Sequence, residues 1–118
     1  MLGHLHEMTA GSGVGARLAF SRVPILDGVM DLVRQGVVPG GTKRNFAYAE
    51  PFTSFDAALD EAQRLIMADA QTSGGLLLAV PAHQAATLVC ALEDQGVPVV
   101  AEIGEITGDQ SGRIIVEQ

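Results

Sequence analysis

Apolar residues along this chain fall into short stretches whose spacing switches between helical and extended periods. Leu2, Leu5 and either Met8 or Thr9 recur at near-helical spacing and then meet Gly11, Ser12, Gly13 and Gly15, so residues 1–10 are expected to form a helix stopped by glycine. No Ser, Thr, Asp or Asn stands ahead of Leu2 to cap it, and the helix or its lead-in is therefore expected to begin upstream of Met1. Residues 16–20 suit a short strand, after which Leu26, Val29, Met30, Val33 and Val37 follow the spacing of one helix face, ended by Gly36 and Pro39. Residues 38–52 keep neither period and read as a long loop with two glycines and two prolines, of the kind that is usually functional or disordered.

Thr53, with Asp56 three positions on, suggests a capped helix that places Phe55, Ala58, Leu59, Ala62, Leu65 and Ile66 on one face. A polar turn over residues 69–75 then leads into 76–80, a continuous apolar run that reads as a buried central strand. Pro81 opens another helix, with Ala85, Leu88, Val89 and Leu92 inward and Gly96 as its stop. Residues 99–106 and 113–117, separated by a glycine-containing turn, suit a terminal hairpin. Alternating helices and strands predict an α/β fold of mixed α+β type, a mixed sheet covered by helices. With 118 residues, the whole span 1–118 is expected to be one domain.

Composition narrows the classes. Hydrophobic residues make up 47% and aromatics only 4%, so the core is built from aliphatic side chains. A net charge of −7, with basic residues scattered except for adjacent Lys43 and Arg44, leaves no cationic stripe for a nucleic acid. The longest apolar stretch, residues 75–81, is too short to span a bilayer. Cys90 is the single cysteine and cannot close an internal disulfide, which points to a reducing, cytoplasmic setting.

Two segments carry candidate chemistry. Pro39-Gly40-Gly41-Thr42-Lys43-Arg44-Asn45 combines close-approach backbone with a hydroxyl, an amide, a point charge and a planar guanidinium, a set able to hold phosphate. The same residues are equally those of a solvated loop with incidental charge. Asp69-Ala70-Gln71-Thr72-Ser73-Gly74-Gly75 offers hydroxyls and successive amides that can form an anion-binding concavity, or it uses Gly74 and Gly75 only for positive φ and tight packing.

Other features carry less. Gly11-Ser12-Gly13-Val14-Gly15 follows a helix and precedes a strand, the reverse of a dinucleotide fingerprint. His4 and His6 point to different helix faces, His83 is remote, and the three read as ordinary helix residues. Beside Leu88, Val89 and Leu92, Cys90 reads as a small packed hydrophobe rather than a nucleophile. Carboxylate pairs such as Asp56 with Asp60 and Glu93 with Asp94 read as solvated helix faces.

Along nearly its whole length the chain resembles the carboxy-terminal domain of selenophosphate synthetases, members of the superfamily that includes aminoimidazole ribonucleotide synthetase. The resemblance rests on Leu2-Gly3-His4-Leu5 with Glu7-Met8, Val38-Pro39-Gly40-Gly41-Thr42 with Arg44-Asn45, Gln71-Thr72-Ser73-Gly74-Gly75-Leu76-Leu77, and Ile103-Gly104-Glu105. The Thr-Ser-Gly-Gly turn is shared across the superfamily, whereas the Gly-Gly-Thr-x-Arg-Asn segment and the opening Leu-Gly-His-Leu point to the selenium enzyme. Ala70 departs from the proline usual in the family, which loosens that turn and leaves its donors intact.

The resemblance implies a mixed α/β domain with partial ferredoxin-like similarity, part of an enzyme that turns ATP, selenide and water into selenophosphate, AMP and phosphate. It implies ATP and Mg2+ as cofactors of the full-length enzyme, with none tightly bound here, and as partners the amino-terminal domain, the substrates ATP and selenide, and a second subunit in a homodimer. The catalytic Cys or Sec, the essential Lys and the metal-binding aspartates of the family fall outside this chain, so it is expected to be inactive alone. What it is expected to contribute is a phosphate or nucleotide cleft formed by Gly40, Gly41, Thr42, Lys43, Arg44, Asn45, Thr72, Ser73, Gly74 and Gly75. Those two segments are expected to share one edge of the sheet, with the Lys43 segment mobile in isolation. Two alternatives stay open: a domain of a related ribonucleotide synthetase, thiamine-phosphate kinase or hydrogenase maturation protein, or a noncatalytic ligand-binding or assembly module.

Overall fold

The computed structural model of the chain describes residues 1–71, 74–108 and 111–118. The first helix, α1 (Leu2–Ser12), buries Leu2, Leu5 and Thr9, the stripe its spacing predicts. It runs through Gly11 and ends at Gly13, whose φ of 70° lets the following backbone turn back onto the Ala10 and Thr9 carbonyls. Thr9 is buried inside this helix because its hydroxyl donates to the Leu5 carbonyl at 2.9 Å.

The sheet has four strands, β1 (Gly15–Ala19), β2 (Thr53–Phe55), β3 (Gly104–Thr107) and β4 (Ile114–Glu117), in the order β2-β4-β1-β3. β4 runs parallel to both β1 and β2, and β3 runs antiparallel to β1, so the sheet is mixed. The register aligns Ala16 with Ile114 and Leu18 with Val116, placing these four buried side chains on one face. Leu2 and Leu5 of α1 join them, as do Ala49, Phe52, Leu59, Met67 and Ala68. On the opposite face Arg17 pairs with Glu117 at 2.7 Å and with Glu105 at 3.7 Å, a solvated cross-strand pairing.

Several expected elements take a different form. The terminal hairpin is absent because β3 and β4 both pair with β1, one on each side. The helix expected from Leu26 to Val37 contracts to α2 (Val29–Arg34), bounded by Gly28 and Gly36 at φ of 80° and 81°, with Leu26 82% exposed. Residues 53–55 form β2 instead of opening a helix, and the helix itself is α4 (Glu61–Met67). Its cap is Asp60: the Gln63 N–H donates to Asp60 Oδ1 and the Asp60 N–H to Gln63 Oε1, both at 2.8 Å. Gln63 completes a capping box that Asp56, with its shorter side chain, does not make for Thr53.

Residues 76–80 pair with no strand, and Leu76, Leu78 and Val80 are exposed. Both sides of β1 and of β4 are already occupied, and apolar composition alone does not specify a ladder partner. The helix after Pro81, α5 (Ala82–Asp94), has the expected inward residues Ala85, Leu88, Val89 and Leu92 only half-buried. Cys90 is exposed rather than packed, since at 100° per residue it falls outside that stripe. No helix among the described residues is long and apolar enough to cross a membrane.

The Asp60 cap carries a pH signature. Its carboxyl is held below the ordinary range by the Gln63 N–H and, next, by Arg34, whose Nη2 lies 3.3 Å from Oδ2. A lowered folded value means that the carboxylate's contribution is complete above the unfolded value, about 3.9, and is lost as pH falls through the lower folded one. Asp60→Asn is therefore expected to flatten the acid limb of a thermal-stability profile below about pH 4. Parallel acid limbs in the two proteins would show that the cap is not titrating there.

Candidate functional site

The segment expected to be a mobile loop is largely helical. Residues Gly40–Ala49 form α3, and Glu50–Phe52 continue it as a 3₁₀ turn before β2. Thr42, Phe46 and Ala49 stand at i, i+4 and i+7, and this stripe faces the core, with Thr42 and Ala49 buried and Phe46 partly so. Two leading glycines lower helix propensity, and Thr and Ala are weak hydrophobic markers, so the stripe escapes a search for large apolar residues. Pro39 followed by that stripe was the available signal.

Thr42 is the joint of the site. Its hydroxyl donates to Asp69 Oδ1 at 2.6 Å and accepts from the Ala70 N–H at 3.2 Å, so both hydrogen-bonding roles of a buried group are filled. The first turn of α3 is thereby fixed against the turn that follows α4. A Cβ at Gly41 would stand 3.0 Å from the Ala70 methyl, which makes glycine the residue that allows this approach. The structure thus brings Gly41 and Thr42 against the start of the 69–75 turn.

The other expected site residues divide. Gly74 and Gly75 are exposed, and Gly75 does not have positive φ, so left-handed backbone is not what it supplies. Thr72 and Ser73 lie outside the described residues. Lys43, Arg44 and Asn45 are exposed on α3, and the Arg44 guanidinium folds back over the first turn, with Nη1 3.5 Å from the position of a Cβ on Gly40.

The electrostatics of this helix end are unusual for an acidic chain. No side chain caps α3 at Pro39, and its first turn contains no acidic residue. The partial positive charge of the unsatisfied N–H groups is reinforced by Lys43 and Arg44, neither of which makes an ion pair among the described residues. The combination suits an anion such as phosphate.

Beside it, α1 and α3 border an open groove of about 210 Å³. Gly3, His4 and Glu7 line it from α1, Asn45 and Tyr48 from α3, and Ala68 from the residue after α4. The Tyr48 ring meets Phe52 edge-on at 5.3 Å, and Phe52 stacks on His6 at 3.8 Å. His6 Nδ1 lies 2.7 Å from the Gly112 carbonyl, a geometry in which Nδ1 donates. His6 thus packs as a residue of α1 against Phe52 and the Gly112 carbonyl, a role that its spacing did not announce. Among the described residues no three His, Cys, Asp or Glu side chains cluster to hold a metal.

Thr42→Val tests the joint. Loss of the hydroxyl removes its bonds to the half-buried Asp69 carboxylate and to the N–H of exposed Ala70, and a hydrogen bond to a charged group contributes about 1.5–3 kcal/mol. Urea denaturation is expected to show a loss in that range, with Thr42→Ser recovering most of it. Equal losses in the two variants would assign the effect to packing instead.

Comparison with known proteins agrees with the resemblance read from the motifs. The profile of the family described as AIR synthase related protein, C-terminal domain, matches residues 1–117. Selenide, water dikinase of Photorhabdus laumondii is 43% identical over 117 residues, covering 99% of this chain and 33% of that protein. The protein of the same name from Myxococcus xanthus is 43% identical over 116 residues, covering 98% and 33%. That of Carboxydothermus hydrogenoformans is 40% identical over 118 residues, covering 100% and 34%. The chain therefore spans about a third of the length of these curated relatives.

Proposed function

Since the chain belongs to the AIR synthase related protein, C-terminal domain family, and its relatives bear the name selenide, water dikinase, we propose that it is the carboxy-terminal domain of such an enzyme. In this reading it forms one wall of a cleft in which ATP, selenide and water give selenophosphate, AMP and phosphate. The observation that carries the assignment is the uncapped, acid-free first turn of α3, armed with Lys43 and Arg44 and fastened by Thr42 to the 69–75 turn.

Phosphoryl transfer is governed by positioning and charge neutralisation around the phosphates. The amides of Gly40 and Gly41 supply fixed dipoles, Lys43 a mobile charge, and Arg44 a fork that can take two oxygens. Magnesium, when bound with the nucleotide, would neutralise part of its charge. The resemblance assigns its protein ligands to the remainder of the longer enzyme. The exposed apolar run at Leu76, Leu78 and Val80 supports a neighbouring domain, because contiguous apolar surface of this kind marks interaction sites.

The test has two arms. Incubated with ATP, magnesium and selenide, the 118-residue chain is expected to form no AMP above a selenide-free control. Titrated with tripolyphosphate, it is expected to shift the backbone amide resonances of Gly40, Gly41 and Lys43. Selenide-dependent AMP formation overturns the division of labour, and unmoved amides overturn the anion site.

A further inference from the structure

The two edges of the sheet are finished differently. β2 is three residues long, and short edge strands limit further pairing. Its Phe55 also packs against Phe46 of α3 and under the Arg64 guanidinium. β3, at the other edge, pairs with β1 alone. The Ala19 N–H donates to the Ile103 carbonyl, and bonding alternates along an antiparallel pair. Glu105 and Thr107 therefore direct their backbone groups at β1, while Gly104 and Ile106 turn their N–H and C=O groups outward. Among the described residues no other backbone group bonds to those two. β3 also lacks the proline, lysine or bulge that protects many edges.

The side chains of β3 define what a neighbouring strand must carry. Across the core face, Thr53, Ile114, Ala16 and Ile106 stand in one row, and the first three are buried whereas Ile106 is 46% exposed. The apolar row thus ends one strand short of cover. On the outer face Arg17 sits nearer Glu117, at 2.7 Å, than Glu105, at 3.7 Å, and the Glu105 side chain is 70% exposed. Glu102, two residues before β3, is held no more closely, by Arg22 at 3.8 Å. No Lys or Arg occurs between Arg64 and Arg113, so neither the apolar run 76–80 nor α5 holds a cation to answer Glu105.

We propose that the free edge of β3 accepts an extended segment of another polypeptide as a fifth strand of the four-stranded sheet, a segment in which apolar residues alternate with Lys or Arg. Its main chain bonds to the outward groups of Gly104 and Ile106. Because successive side chains of a strand point to opposite faces, an apolar residue then covers Ile106 on the core face while a basic one stands across from Glu105. Main-chain bonds supply the affinity of such strand addition, and the alternating side chains supply its selectivity. Self-pairing of two β3 strands would bring Glu105 carboxylates together in a chain of net charge −7, which disfavours a second copy as the occupant.

The probe is the end-blocked peptide Lys-Val-Lys-Val-Lys-Val-Lys, titrated into the 118-residue chain with amide hydrogen exchange as the readout. In the free chain Glu105, bonded to β1, is expected to exchange slowly, and Gly104 and Ile106 fast. Peptide at about ten times its Kd is expected to slow Gly104 and Ile106 about tenfold and to leave Glu105 as it was. A peptide with proline for the central valine keeps the charge but loses a ladder donor, and one with Glu for every Lys keeps the ladder and reverses the charge. Both are expected to leave the exchange unchanged. Glu105→Gln is expected to weaken binding of the Lys-Val peptide about threefold, within the range of an exposed ion pair. No protection by the Lys-Val peptide, equal protection by either control peptide, or unchanged affinity in Glu105→Gln overturns the proposal. So does slow exchange of Gly104 and Ile106 in the free chain: if it persists on dilution, the chain covers its own edge, and if dilution abolishes it, the occupant is a second copy.

Discussion

Gly104→Ala is expected to destabilise the chain by about 3 kcal/mol, the upper part of the range for overpacking a well-filled site. Gly104 sits in β3 opposite Leu18, and a Cβ there would overlap the Arg17 carbonyl oxygen and come within 2.9 Å of Leu18 Cα. These are backbone atoms of the strand that carries pairing on both sides, so relief requires β3 to move away from β1. Separation would expose the Leu18 side chain, which also lies 2.9 Å from the added methyl and otherwise belongs to the buried core. Since small domains are stable by only about 5–15 kcal/mol, the loss is large. It is read as a fall in the urea midpoint of roughly 1–3 M at an m-value of 1–3 kcal/mol/M. Gly11→Ala provides the control: that glycine has no neighbour within 4 Å of an added Cβ and lies inside a helix, so alanine there should be neutral or mildly stabilising. Equal midpoints for Gly104→Ala and the parent protein would mean that β3 is not docked on β1 as described.

How much of this was legible in the sequence follows from which forces decide each element. α1 and β1 were readable because Leu2, Leu5 and Thr9, and then Ala16 and Leu18, carry the helical and the alternating period directly onto buried positions. The stripe around Leu59 was correctly apolar, but its first residues form a strand because Thr53 and Phe55 find Ile114 and Val116 as partners some sixty residues on. Periodicity carries no information about such a partner. The same limit explains residues 76–80, whose composition suits a strand but names no partner, and which join neither edge of the four-stranded sheet.

At the candidate site, residue types were informative and local structure was not. Glycines, a hydroxyl and two adjacent cations marked the segment, yet Gly40–Ala49 is a helix whose core contacts run through Thr42 and Ala49. The bond from Thr42 to Asp69 joins two segments that sequence had marked separately, and no pattern within either one announces it. Nor does sequence announce the groove, because His4 and Glu7 on α1 meet Asn45 and Tyr48 only when α1 and α3 pack together.

Replacing Lys43 and Arg44 together by alanine is expected to change stability and anion binding in opposite directions. Lys43 at the end of the first turn, and the Arg44 guanidinium folded back over it, oppose the helix macrodipole by up to about 0.3–1 kcal/mol each at exposed positions, and no acidic side chain of that turn compensates them. Alanine is also the better helix former. The double variant should therefore unfold at an equal or slightly higher urea concentration than the parent. Binding should move the other way: two unit charges near 4 Å attract by about 1 kcal/mol in water and about 4 kcal/mol at an effective dielectric of 20. A combined loss of about 2 kcal/mol corresponds to roughly thirtyfold weaker tripolyphosphate binding. Because both groups are exposed, the difference between parent and variant should shrink as salt shortens the Debye length from about 10 Å at 0.1 M to about 3 Å at 1 M. A variant that is destabilised while binding tripolyphosphate as well as the parent would show that the two cations serve the fold. The opposite pair of signs has a separate physical meaning: the first turn of α3 carries charge that its own helix disfavours, and an anion docked against the Gly40 and Gly41 amides is what offsets it.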